Sequence, residues 1–206
     1  VPLIKDLTFA AIDFESAGAL RGENDVPVQI GMALLEPEGK IDTSQFYRSY
    51  IHADRPIAWS ARKVHGITDE DIADAPGMLS LWPDVSGMLS NRCVVAHGSG
   101  TEKRFLRAYP MHRFGPWIDT LKLAHAAWPD SDSHSLGKLC AQAGLVEELD
   151  KLCPDLRWHD ALFDSVASLL MLRHLIDSCQ LHDAPLETLT HPDRSAYYAG
   201  RRAASS

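Results

Sequence analysis

Asp13-Phe14-Glu15 closes an early apolar run, and His159 precedes Asp164 at the start of a late amphipathic stretch. On a β-strand alternate side chains share a face, so Asp13 and Glu15 project together while Phe14 turns into the core. Two carboxylates held side by side repel and raise a pKa unless a cation lies between them, and oxygen-rich sites of this kind suit Mg²⁺ or Mn²⁺. The chemistry these residues suit is metal-assisted hydrolysis at phosphorus.

Two further segments bear on that chemistry. In the helix expected from about residue 101, Glu102 shares a face with Phe105, Leu106 and Tyr109 at spacings i+3, i+4 and i+7. A carboxylate heading an apolar stripe needs a cation or strong hydrogen bonds if it is buried; a first-turn Glu that favours the helix dipole and faces solvent is the alternative. His159 and Asp164 are too far apart in sequence to share a helical face. With Asp160 as N-cap, His159 sits in the preceding loop and Asp164 in the first turns of a helix that carries Leu162, Phe163, Val166, Leu169 and Leu170 inward. A loop histidine titrating near neutrality suits a general base that approaches a metal-bound water.

The elements that must position these groups are legible as patterns. Residues 8–14, 28–35 (VQIGMALL) and 45–51 (QFYRSYI) read as strands with short connections, an antiparallel meander. Helical patterns follow at 59–64 and 78–89. A short buried strand at 93–96 (CVVA) runs into His97-Gly98-Ser99-Gly100, another at 117–119 precedes a helix through 127, and helices at 135–143 and 161–176 complete the pattern. A meander followed by strand-helix alternation implies an α/β fold with a mixed sheet covered by helices. The Gly98-Ser99-Gly100 loop lacks the further glycine of a dinucleotide fingerprint and the Gly-Lys-Ser/Thr ending of a P-loop, so a nucleotide cofactor is not expected.

With 206 residues and 45% hydrophobic content, the chain can bury one full core. The expected division is a domain over 1–180 and a surface extension or tail over 181–206. The net charge of −8 argues against a broad basic nucleic-acid surface, although carboxylates inflate the acidic count while bound divalent ions reverse its local sign. Local basic spots occur at Arg62-Lys63 and at Lys103, Arg104 and Arg107. Cys93, Cys140, Cys153 and Cys179 are scattered, which reads as buried free thiols. With no bilayer-length apolar run and no secretory signature, the expectation is a cytoplasmic protein without membrane contact.

Taken together, FAAIDFESAG, VVAHGSGTEKRFL and HDALFD resemble the three motifs of the DEDDh branch of the DnaQ-like 3′-5′ exonuclease superfamily. The connecting segments PIAWSARKVHGITDEDIADAP, IDTLKLAHAAWP and SHSLGKLCAQAGL are similar to that family too, so the resemblance covers residues 7–176. It implies an RNase H-like mixed five-stranded sheet, the antiparallel meander plus parallel strands, flanked by helices. It implies Asp13, Glu15, Glu102 and Asp164 as ligands of two Mg²⁺ or Mn²⁺ ions and His159 as the base. Phe14, His65 and Ile67 become candidates to hold the terminal nucleotide. Two positions depart from the family, which usually has asparagine at Gly98 and aspartate at Glu102.

The function so implied is hydrolysis of phosphodiester bonds at the 3′ ends of single-stranded or frayed DNA or RNA, giving 5′-mononucleotides. A homodimer is compatible with this reading. The competing reading is a catalytically weak nucleic-acid-binding or interaction module that keeps the exonuclease fold.

Overall fold

The computed structural model describes residues 2–20 and 22–193. Among them, five strands form one sheet in the order β3-β2-β1-β4-β5. These are β1 (Phe9–Ser16), β2 (Pro27–Leu35), β3 (Tyr47–Tyr50), β4 (Cys93–Ala96) and β5 (Trp117–Asp119). β1 pairs antiparallel with β2, and β2 with β3, whereas β4 runs parallel to both β1 and β5. The expected mixed RNase H-like sheet is therefore present. β1 is its central strand, bordered by the meander on one side and the parallel strands on the other.

The helices are α1 (Trp59–His65), α2 (Asp69–Ile72), α3 (Trp82–Leu89), α4 (Gly100–Phe105), α5 (Thr120–Ala127), α6 (Leu136–Gln142), α7 (Val146–Leu152), α8 (Ala161–Ser178) and α9 (Glu187–Thr190). The helix expected over 78–89 divides into a 3₁₀ turn, Met78–Leu81, and α3, with Pro83 in the first turn of α3. That division follows the chemistry of proline, which has no N–H to give and is accommodated only at a helix start. α2, α7 and α9 are additional elements. The first of them is short and is held by a capping box in which Thr68 and Asp71 satisfy each other's backbone.

Alternation along β1 sends its side chains to two cores. Phe9 and Ala11 join Ala33, Val95, Phe163, Val166 and Leu170 on one face, while Ala10, Ile12 and Phe14 join Ile30, Met32, Leu89 and Phe105 on the other. Asp13 and Glu15 continue the face of Phe9 and Ala11, the one that α8 covers. α8 itself is less amphipathic than its sequence suggests, with Ala167, Ser168, Leu169, Leu170, Met171 and Leu172 buried in succession.

One glycine fixes where α8 starts. Asp13 pairs across the ladder with Gly31, and a Cβ built on Gly31 would lie 2.1 Å from the Leu162 nitrogen and 2.2 Å from the Ala161 carbonyl carbon. No side chain fits there, so the first turn of α8 rests directly on β2, and Ser165 Oγ donates to the Gly31 carbonyl at 2.8 Å. Asp164 is thereby carried to Asp13.

The described part of the 181–206 segment packs against the N-terminus. Leu181 and Leu189 are buried in the α8-side core, and the Ile4 and Lys5 amides donate to the Ala184 and His182 carbonyls. Residues 194–206, where the chain is expected to fray, lie outside the described residues. All four cysteines are buried. Among the described residues no helix is long and apolar enough to cross a membrane.

Candidate active site

At the C-terminal end of β1 the ladder slips. Glu15 faces Gln29, but Ser16 faces Pro27, with a register shift between Glu15 and Ser16. Proline has no N–H to donate, and the Ser16 carbonyl instead pairs with His65 Nε2 at 3.1 Å. His65 Nδ1 accepts from the Ile67 amide at 3.0 Å, so the proton sits on Nε2, which donates to Ser16. Burial keeps this ring's pKa below that of a free histidine. Together the two bonds fasten the end of α1 beside the carboxylate strand. Ile67 lies next to it in a small third core with Ala17, Val28, Ile57 and Ile72.

Glu102 is 5% exposed, which decides between the two readings of its helix. It lies inward with Phe105, Leu106 and Tyr109, as the helical spacing requires, and its Oε2 is buried without a hydrogen-bond partner. The loop that aims it is held by Asp119. One carboxylate oxygen of Asp119 accepts from the Gly98 amide (3.0 Å) and the Leu121 amide (3.1 Å), and the other from the Ser99 amide (3.0 Å) and hydroxyl (3.1 Å). Burial alone would raise the Asp119 pKa, but the Ser99 and Gly98 amides hold it below the usual carboxylate value. Gly98 takes φ +87°, a left-handed conformation that glycine adopts freely and asparagine more readily than most residues. The glycine thus keeps the backbone path that an asparagine there would also permit. Next to it, His97 bridges Thr120 Oγ1 and the His134 carbonyl, each at 2.9 Å, so it ties the strand end to α5 rather than simply ending β4.

His159 lies in the loop before α8, as expected, with φ +67°. A left-handed histidine costs about 1 kcal/mol or more, so neighbouring contacts must hold it. Asp160 supplies them. Its Oδ1 caps α8 through the Leu162 amide (3.1 Å), and its Oδ2 accepts from Gln29 Nε2 (3.0 Å) and Arg48 Nε (2.8 Å), with Arg48 Nη2 at 2.6 Å. Gln29 Oε1 in turn accepts from the Ala161 amide at 2.9 Å. The buried amide on β2 and the guanidinium on β3 thus anchor the histidine loop, and the Arg48 guanidinium pairs with a carboxylate whose charge still reaches Asp13, Glu15 and Asp164.

That crowd is the central electrostatic fact of the molecule. One potential ligand atom from each of Glu15, His159 and Asp164 lies within 4.8 Å of the other two. Burial pushes the Glu15 pKa up to about 8, helped by Asp164 and Asp160, and pushes Glu102 and Asp164 up to about 7. Asp13 is raised well above its ordinary value, first by burial and then by the charges of Asp164, Glu102 and Glu15. Asp164 Oδ1, like Glu102 Oε2, is buried with no partner. Carboxylates from three separated segments that raise one another's pKa, two of them with an unpaired buried oxygen, fit divalent cations. An all-oxygen set joined by one imidazole matches Mg²⁺ or Mn²⁺ better than zinc.

The structure thus brings Glu15, His159 and Asp164 together, with Asp13 within reach of the charges of Asp164, Glu102 and Glu15, and two qualifications apply. Phe14 is 6% exposed and packs edge-on against Phe105, ring centres 5.5 Å apart, so its side chain fills the core as strand alternation requires. The supporting groups Gln29, Arg48 and Asp119 were not evident beforehand. Asp119 carries a readable signal, an Asp-Thr pair opening a helical pattern, whereas Gln29 sits in an apolar run with nothing to mark it.

Comparison with known proteins agrees with this fold. The exonuclease family model of RNase T type matches residues 10–172. The chain is 30% identical over 146 residues to a PolC-type DNA polymerase III of Thermotoga petrophila, covering 68% of this chain and 10% of that protein. It is 28% identical over 171 residues to a DNA polymerase III subunit epsilon-like protein of Rhodobacter capsulatus, covering 81% of this chain and 23% of the relative. The chain thus spans well under half the length of these curated relatives. Exonuclease X, solved in complex with 5′ overhanging duplex DNA, superposes with a TM-score of 0.67 at 26% identity, covering 88% of this chain and 99% of that one. The nuclease domain of 3′hExo, at 17% identity, shares the fold with a TM-score of 0.69 over 87% of this chain and 97% of that one. With the sheet order and the family match in agreement, the chain belongs to the RNase T-type exonuclease family of the DnaQ-like superfamily.

Proposed function

We propose that this protein is a metal-dependent 3′-5′ exonuclease that removes 5′-mononucleotides from single-stranded or frayed 3′ ends. The observation that carries this reading is the convergence of Asp13, Glu15, Glu102 and Asp164, with raised pKa values and two orphaned carboxylate oxygens, beside a loop histidine. In this reading the four carboxylates hold two Mg²⁺ or Mn²⁺ ions. When bound, such ions would supply Lewis-acid activation of a water and stabilise the charge that develops on the phosphate.

The protein's own groups do the rest. His159 accepts the proton of the attacking water, and its exposed loop lets it approach after substrate is seated. The Arg48–Asp160–Gln29 network keeps that loop in register while leaving the imidazole unencumbered. His65 and Ile67, fixed to the end of β1, form the floor against which the terminal nucleotide packs, while Phe14 is buried in the core on the opposite side of β1 from Asp13 and Glu15. The catalytic unit is assigned to 1–180.

The test is release of mononucleotides from 3′-labelled single-stranded oligonucleotides in Mn²⁺ or Mg²⁺, with parallel DNA and RNA substrates and an EDTA control. Binding without metal-dependent shortening of either polymer would overturn the reading and favour a module that only binds.

Two substitutions probe the roles separately. His159→Ala is expected to spare Mn²⁺ binding in calorimetry while cutting turnover by roughly 10²-fold or more, the scale of a lost general base. Wild-type turnover would remove His159 from the reaction. Glu102→Gln is expected to nearly abolish cleavage, and Glu102→Asp to leave partial activity with weaker Mn²⁺ affinity, because this loop is set for a carboxylate one methylene longer, about 1.5 Å. Normal cleavage by Glu102→Gln at low Mn²⁺ would show that the buried carboxylate is structural.

A further inference from the structure

We propose that the exposed face of α1 is a stacking platform for single-stranded nucleic acid, with Trp59 receiving a base a few positions 5′ of the scissile nucleotide. The inference rests on the exonuclease reading for its direction along the strand, but its physical basis is separate from the carboxylates.

Trp59 is 73% exposed, an unusual setting for the largest apolar side chain. Lys63, one turn on, places Nζ 5.1 Å from the centre of its ring. The lysine orients the indole and sets a positive charge beside it while most of the ring stays open to solvent. An indole face with an adjacent ammonium offers a base something to stack on and its phosphate something to pair with, without reading sequence.

Charge and place both favour this occupant. The chain carries a net charge of −8, yet α1 has no acidic residue and contributes Arg62 and Lys63. Arg157, in the segment leading to His159, lies over Gly66 at the far end of the same helix, with Nη2 2.7 Å from where a Cβ on that glycine would stand. Neither Lys63 nor Arg157 forms an ion pair among the described residues, so both charges remain available to a phosphate. From Trp59 to His65, whose ring is bonded to the end of the carboxylate strand, the helix rises about 9 Å. At ~3.4 Å per stacked base this separates the platform from the terminal nucleotide by roughly two to three bases.

The experiment measures cleavage and binding separately. Steady-state cleavage of an oligothymidine 8-mer in Mn²⁺ gives KM and kcat, and anisotropy of a labelled, cleavage-resistant phosphorothioate 8-mer gives Kd. For Trp59→Ala, KM and Kd are expected to rise about 5- to 100-fold with the larger effect on KM than on kcat, and Trp59→Phe is expected to recover part of the loss. Circular dichroism verifies that both variants fold. Wild-type KM and Kd in folded Trp59→Ala would overturn the platform while leaving the exonuclease reading intact. Conversely, Trp59-dependent binding in a wild-type protein that never shortens the polymer would sustain the platform and sink the exonuclease reading. A change of sedimentation coefficient with unaltered oligonucleotide binding would assign the patch to self-association instead, and would also overturn it.

Discussion

Asp164→Asn is expected to reduce nuclease turnover by on the order of 10³-fold or more and to weaken Mn²⁺ binding at the same time. The amide keeps the volume of the side chain and leaves the helix cap untouched, because capping of α8 belongs to Asp160. What disappears is one negative charge and the oxygen Oδ1, which has no hydrogen-bond partner within the protein. Asp13→Ala should behave alike. Calorimetric titration with Mn²⁺, run beside the oligonucleotide assay, checks both. Unchanged stoichiometry and affinity in the two variants would refute their assignment as ligands. A turnover loss with normal metal binding would place these residues in proton transfer instead.

The second large effect concerns stability without metal. Glu15, Glu102 and Asp164 have folded pKa values near 7 to 8, and Asp13 is also raised, whereas unfolded carboxylates titrate near 4. The folded protein therefore binds more protons than the unfolded chain between about pH 4 and pH 8. Stability then falls as pH rises through that window, the reverse of the usual salt-bridged carboxylate. His65 and His97, whose pKa values burial lowers, act in the opposite direction below about pH 6.5, so the decline should be steepest between about pH 6.5 and 8. In EDTA the protein is expected to lose on the order of a few kcal/mol between pH 5 and pH 8. Each kcal/mol corresponds to about 2–4 °C in Tm for a chain of this size. Saturating Mn²⁺ should remove most of the slope, since the cations hold the carboxylates ionised. Asp164→Asn, inactive, should melt higher than the wild type at pH 8 in EDTA. Thermal scans across pH with and without Mn²⁺ decide the matter; a flat or rising profile in EDTA would show that the carboxylates do not repel as their burial implies.

Much of this site was legible before the fold was known, for reasons that differ by residue. Strand alternation placed Asp13 and Glu15 together and sent Phe14 into the core, because a period of two leaves little freedom once one face is buried. Helical spacing put Glu102 with Phe105, Leu106 and Tyr109, although only the folded chain settled that the carboxylate is buried. The N-cap at Asp160 and the loop position of His159 followed from local turn chemistry. The supporting groups were harder to read because their roles depend on contacts across the sheet. Gln29 meets Asp160 from a position far away in sequence, and Arg48 reaches the same carboxylate from the edge strand. Short elements were lost for another reason. α2 has only four residues, too few for a hydrophobic period to show, and its capping box is its one local mark.

The slip between Glu15 and Ser16 has a consequence for how freely this end of the sheet can vary. Because Pro27 leaves the Ser16 carbonyl without a ladder partner, the histidine of α1 is joined to β1 through main-chain oxygen. No side chain at position 16 takes part in that joint. Its specificity resides in the path of the backbone, so Ser16 can be exchanged for other residues that keep an extended conformation, while Pro27, which touches neither metal nor substrate in this account, cannot be exchanged without handing the carbonyl a competing donor. A site whose chemistry depends on carboxylate identity is thus hung on a hinge that is indifferent to the residue it carries and sensitive to the imino acid opposite.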